Sequence, residues 1–192
     1  MAFFPTRDSH ATGSVIRLKL REITQLFNSL DPSPFSEQDL DRDAEEFIVS
    51  WARELPRHHV LRLVLTLERP LAPPQTHETV GESVRHYFAY RASINRLELR
   101  NLFRQGRTSL LIGIAFLTGC LLLVQTIARL DPSGTFWGIA REGLTIAGWV
   151  AMWRPMEIYL YEWWPLRRRG KVFEKLSNMP VTVNLRQADS GA

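Results

Sequence analysis

The chain has 192 residues, 24 Lys/Arg against 20 Asp/Glu, a net charge of +4 and a mean hydropathy of −0.15. With 23% charged residues it is no polytopic transporter, and the length allows one modest domain plus an appendage. Its one cysteine, Cys120, rules out an intrachain disulfide. Packing is the default role of a lone buried thiol, and the redox compartment stays open.

"MAFFPTRDSH" carries no apolar run before its charges, so no signal peptide is expected and residues 1–14 are read as a disordered terminus. "SVIRLKLRE" alternates Ile16, Leu18 and Leu20 with Arg17, Lys19 and Arg21, and "VLRLVLTLE" does the same with Leu61, Leu63, Leu65 and Leu67. Both have the period of half-buried strands. Between them a short helix is expected around Ile23, Leu26, Phe27 and Leu30, broken at "DPSPF". A second follows through Ala44, Phe47, Ile48, Trp51 and Leu55, ended by Pro56. These elements make a cytoplasmic α+β domain over 15–77, closing on the proline-rich "RPLAPPQT". A linker helix over 78–107 leads into "TSLLIGIAFLTGCLLLVQTIA", the 21 uncharged residues from Thr108 to Ala128. At ~1.5 Å per residue this matches a bilayer core of ~30 Å.

"DPSGT" (131–135) reads as a tight turn, so a second crossing is expected from Phe136 to about Met156, completing a transmembrane hairpin over 108–156. Arg154 then falls at the interface, where it can snorkel. Pro155 suits the first turn of a following helix. Met156, Tyr159, Leu160 and Trp163 recur at helical spacing until Pro165 stops them, an interfacial segment over 157–166. A longer span, kinked at Pro155 and reaching 164, is the alternative. The remainder, 167–192, is a basic tail in which "PVTVNLR" supplies a third strand at 181–186. The fold class expected is α+β, a small cytoplasmic α/β domain joined to a two-helix transmembrane hairpin.

Charge sets the expected orientation. Arg91, Arg96, Arg100, Arg104 and Arg107 precede the first apolar stretch against Glu98 alone, and Arg167, Arg168, Arg169, Lys171 and Lys175 follow the second against Glu174. Basic flanks stay cytoplasmic, so both termini are expected there. Arg104, Arg107, Arg154, Trp163, Trp164, Arg167, Arg168 and Arg169 are the expected membrane-interface residues, with anionic lipid headgroups as their partners. Basic runs placed at headgroups argue against nucleic acid. Ala115 and Gly119, with Gly143, Ala147 and Ala151, form small-residue stripes suited to close helix packing or to a homo-oligomer. Gln125, Arg141 and Glu142 are the intramembrane polar residues. Either Arg141 snorkels and Glu142 bonds Gln125, or they mark an ion or proton path.

The segments "LFNSLDPSPF…DLDRDAEEFIVSWARELP" and "EGLTIAGWVAMWRPMEIYLYEWWPLRR" resemble a group of uncharacterised bacterial inner-membrane proteins. The resemblance implies a membrane location and topology and carries no activity.

Site chemistry is sparse. Asp39, Asp41 and Asp43 start like a calcium loop, but Ala44 and Ser50 occupy the positions of its glycine and bidentate glutamate, and helix N-terminal acids explain them. His10, His58, His59, His77 and His86 show no metal-ligand spacing. "RRRGKV" is no phosphate loop, and neither G-x-G-x-x-G nor G-x-S-x-G occurs. No catalytic residue, metal or cofactor is therefore assigned. The function expected is a membrane-anchored binding, scaffolding or regulatory module with an unknown protein partner. A subunit of an oligomeric ion- or proton-conducting assembly stands second, and a membrane-bound enzyme third.

Overall fold

The computed structural model describes residues 13–55, 60–73, 75–130 and 135–186. Most of the terminus expected to be disordered, Pro56, His10, His58, His59, most of the "DPSGT" turn and the "QADSGA" tail lie outside the described residues. In chain order the elements are β1 (Gly13–Leu20), α1 (Arg42–Glu54), β2 (Val60–Leu67), α2 (His77–Leu130), α3 (Thr135–Ala151), α4 (Trp153–Glu157), a π-helical turn (Ile158–Glu162), α5 (Trp163–Ser177) and β3 (Val181–Leu185). They form two compact units. One joins the residues up to Ile94 with those from Arg169 onward, and the other is Asn95–Arg168.

The first unit is built on a parallel sheet of order β1-β2-β3. Its register lines up Ile16, Leu63 and Val181, then Leu18, Leu65 and Val183, then Leu20, Leu67 and Leu185 across one face. That face is covered by Ala44, Ile48, Val49 and Ala52 of α1, Val80, Val84, Phe88 and Ala92 of α2, and Phe173 and Leu176 of α5. Each buried aliphatic or aromatic side chain contributes about 1.5–3 kcal/mol before chain entropy is deducted. On the opposite face, among the described residues, Arg17, Lys19, Arg62, Thr182 and Asn184 are exposed while Val15, Val64 and Thr66 are half-buried. All-parallel sheets are usually covered on both sides, so this is a departure.

Local chemistry fixes the ends. Asp41 caps α1, accepting from the Asp43 N–H at 3.0 Å. Thr76 and Thr79 bond reciprocally at the start of α2 (2.8 and 3.2 Å) in the manner of a capping box. The helix expected around Ile23 to Leu30 shrinks to a 3₁₀ turn, Ile23–Gln25, and Leu30 is 88% exposed. The Asn28 and Asp31 side chains accept from the N–H groups of Leu30 and Ser33 (3.0 Å each), offering the backbone turns in place of a helix.

Two expectations about the second unit are corrected. Helix makes up 68% of the described residues, so the chain is mainly helical with a small parallel sheet, and the two-helix transmembrane hairpin is not found. Among the described residues only α2 is long and apolar enough to cross a membrane. α3 has 17 residues, about 26 Å at 1.5 Å each, short of a ~30 Å core. Pro155 supplies the reason. Lacking an N–H, it cannot bond the carbonyl four residues back at Ala151, and its ring crowds that turn, so α3 stops there. Pro165, expected to end a helix, instead lies inside a continuous helical run, as the third residue of α5 directly after the π-helical turn.

The packing seam differs as well. On α2 the covered positions Gly113, Leu117, Cys120, Val124 and Ile127 follow a 4-3-4-3 spacing. A Cβ on Gly148 of α3 would lie 2.8 Å from Leu117 Cδ1, and one on Gly113 would lie 3.0 Å from the Ala151 carbonyl oxygen. Gly119 and Gly143 face open space, and Ala115 and Ala147 are exposed, so of the five expected packing residues only Ala151 joins the seam. Leu117, Val124 and Ile127 offer more apolar area than two small residues, and they decide which face turns inward. A methyl at Gly119 should therefore gain about 0.5–1 kcal/mol of helix propensity. A methyl at Gly113 would crowd the Ala151 carbonyl oxygen at 3.0 Å and Met152 Sδ at 3.1 Å, so Gly113→Ala is expected to lose stability. Thermal unfolding of the full chain in mild detergent should rank Gly119→Ala above wild type and Gly113→Ala below it; the opposite ranking would relocate the seam.

Candidate functional site

Arg100, Arg104 and Arg107 sit at i, i+4 and i+7 on α2 and so share one helix face. With Leu97, Asn101, Phe103 and Tyr159 they line an open cleft of about 690 Å³. Tyr159 reaches this face because Gly106 has no side chain. A Cβ there would lie 2.9 Å from Ile158 Cγ2 and 3.3 Å from Tyr159 Cζ. Ile158 is fully buried, and the Tyr159 and Trp163 rings lie 6.2 and 6.4 Å from Phe103. The π-helical turn leaves a carbonyl at Tyr159 that accepts from Trp163 Nε1 at 2.8 Å.

The electrostatics of the cleft are one-sided. The carboxylates of Glu157 and Glu162 are both held by Arg154, the first at 3.1 Å. Those bonds, the one to Glu162 foremost, raise the Arg154 pKa. Among the described residues Arg100, Arg104 and Arg107 have no carboxylate partner. Three guanidinium groups on adjacent turns repel one another by a few tenths of a kcal/mol per pair, at about 0.2–0.5. Their planar forks suit a tetrahedral or planar oxyanion.

The first unit holds a second polar assembly. Arg91 donates from Nε and Nη2 to one Glu45 oxygen (3.0 and 2.9 Å), and the Tyr87 hydroxyl donates to the other at 2.8 Å. Burial, then the Glu45 hydrogen bond and charge, push the Tyr87 phenol far above its ordinary pKa. Burial works against the charged Arg91, but Glu45 outweighs it and the net shift is upward. Beside it Asn28, Asp31, Ser33, Glu37, Gln38, Asp39, His86, Tyr87 and Tyr90 line a bowl of about 490 Å³. Asp31 is occupied structurally: the Asp39 N–H, first, and the Ser33 N–H hold its pKa below the usual carboxylate range.

Of the residues the sequence nominated, Arg104 and Arg107 enter the cleft, while Arg154 serves two carboxylates and is not left free. Arg167 stacks over Trp163 (5.6 Å) and Arg168 over Trp164 (5.5 Å). Arg169 belongs to the other unit and lies 5.3 Å over Phe173, whose ring Arg91 also faces at 5.6 Å. Gln125 and Glu142 are exposed and share no hydrogen bond among the described residues, and Arg141 is half-buried. Arg100, Asn101, Phe103 and Tyr159 were missed as site residues. The arginine spacing was readable, but the return of Tyr159 to α2 was not.

Compared with known proteins, the chain matches no family model, no curated protein and no solved structure. The Glu45 network yields a pH prediction. Because the Tyr87 pKa is raised in the folded state, its contribution is complete below the unfolded value near ~10 and is lost as pH rises above it. Alkaline titration followed by tyrosinate absorbance should show one phenol ionising only with unfolding, and Tyr87→Phe should abolish that late step. Four phenols ionising together before unfolding would refute it.

Proposed function

We propose that the chain is a membrane-anchored binding or regulatory module of a bacterial inner membrane, held by the apolar part of α2. Exposure is the observation that carries this reading. Only 11% of the most apolar 18-residue window of α2 is buried, and Leu111 and Ile112 are 70% and 65% exposed. Ile139, Ile146, Trp149, Val150 and Trp153 extend the apolar surface beyond it. A core helix of a soluble protein would be covered, and apolar surface this continuous marks a membrane or protein interface. The arginine excess before Thr108 supports a cytoplasmic position for the residues that precede it. The absence of a recognisable nucleophile or metal-ligand spacing favours a module over an enzyme. Anionic lipid, an unidentified protein and a second copy of the chain are the partners of this reading.

A second reading, a subunit of an ion- or proton-conducting assembly, is favoured by one observation. Glu142 is exposed on an apolar helix without a bond to Gln125. A carboxylate on an apolar surface needs a partner, and neighbouring protomers would supply it.

Two experiments separate these readings. The full chain expressed in bacteria should stay with membranes through an alkaline carbonate wash, and a reporter fused to the N-terminus should read cytoplasm. Release by carbonate would end the anchoring reading. Glu142→Gln should leave the detergent-solubilised size unchanged for an anchored module, as read by light scattering. A conducting oligomer built on that carboxylate should dissociate.

A further inference from the structure

We propose that the cleft formed by Arg100, Arg104, Arg107, Asn101 and Tyr159 binds the phosphate of an anionic phospholipid headgroup. The inference rests on the reading of α2 as a membrane anchor, and goes beyond it by giving the lipid one built site.

Position is the first argument. Arg107 adjoins Thr108, the first residue of the uncharged stretch. Arg104 and Arg100 lie about 4.5 and 10 Å further back along the axis. A headgroup layer is about 5–8 Å deep on each side of the hydrocarbon, so Arg107 and Arg104 fall within it and Arg100 at its watery edge. Uncompensated charge is the second argument. The acids of the facing segment, Glu157 and Glu162, are consumed by Arg154, so nothing among the described residues neutralises the three guanidinium groups. A phosphate would relieve their mutual repulsion through charge-assisted, forked hydrogen bonds. Shape is the third. Leu97, Phe103 and the Tyr159 ring share the lining with these cations, a combination that suits a ligand with a charged head on an apolar body. Gly106 sustains that wall by letting Ile158 and Tyr159 approach α2.

The test uses the full chain in phosphatidylcholine nanodiscs, with and without a minor fraction of phosphatidylglycerol, and counts lipids retained on each chain by native mass spectrometry. Phosphatidylglycerol should be retained in preference to phosphatidylcholine. Each of Arg100→Gln, Arg104→Gln and Arg107→Gln should reduce that preference about fivefold, the effect of one basic residue near a lipid surface. Arg62→Gln, which removes an exposed guanidinium of β2 in the other unit, should leave it unchanged. The Arg→Lys series preserves charge and helix, and should lose only part of the preference by giving up the fork. Equal retention of both lipids, or a preference indifferent to the three arginines, overturns the site while the chain still resists carbonate. Displacement of phosphatidylglycerol by inorganic phosphate, with the same arginine dependence, reassigns the cleft to a soluble anion and overturns the lipid. A chain that enters no disc and is released by carbonate fails the anchoring reading itself.

Discussion

The pairing of β3 on β2 is the constraint on which the rest depends. Both neighbours of β2 run parallel to it, and a parallel neighbour can only be reached by a crossover. The crossover from β2 to β3 is residues 68–180, which contain all of the second unit. Val183 is buried among the leucines of β2, the Arg186 N–H donates to the Leu67 carbonyl at 2.7 Å, and the Arg186 side chain pairs with Glu68 at 3.3 Å. These contacts tie the far end of the helical excursion to its beginning. Any arrangement of α2 to α5 must therefore leave and rejoin the same folded unit.

Within the helical unit one missing N–H has effects several turns away. Pro155 ends α3 at Ala151, and the chain resumes as a short helix at Trp153. That restart puts Arg154 within reach of both Glu157 and Glu162. The π-helical turn that follows shifts the side-chain phase, so Ile158 is the buried residue and Met156 and Leu160 are left exposed. Tyr159 comes down on the arginine face of α2 beside Gly106. Withdrawing two carboxylates and adding one aromatic wall turns a row of helix-surface arginines into a concave cationic site.

Much of the first unit was legible because period-2 and period-3.6 patterns each had one consistent partner surface. The alternations at Ile16–Leu20, Leu61–Leu67 and Val181–Leu185 coincide with strands, and the spacing of Ala44, Phe47, Ile48 and Trp51 with a helix. What failed did so where local rules competed. Asn28 and Asp31 drew the backbone out of a helix that apolar spacing alone had suggested. Apolar content made 136–156 look continuous, but a proline-lacked hydrogen bond set its length. The stripe of Gly143 and Ala147 was visible, yet small residues permit close approach without requiring it, and the seam formed through Gly113 and Gly148. The arginine spacing of the cleft was plain in the sequence. Its other wall, and the engagement of the nearby acids, depend on a π-helical turn that no simple period announces.

The parallel order also sets a timetable for synthesis. Glu68 and Arg186 pair across 118 residues, so the β3 edge of β2 stays unpaired until more than a hundred further residues have been made. During that interval Leu63, Leu65 and Leu67 offer an unpaired, apolar strand edge, the kind of surface that recruits other chains. The apolar part of α2 emerges well before β3 does. Until β3 is made the chain carries both liabilities at once, so the synthesis of residues 129–185 is where chaperone engagement matters most for yield.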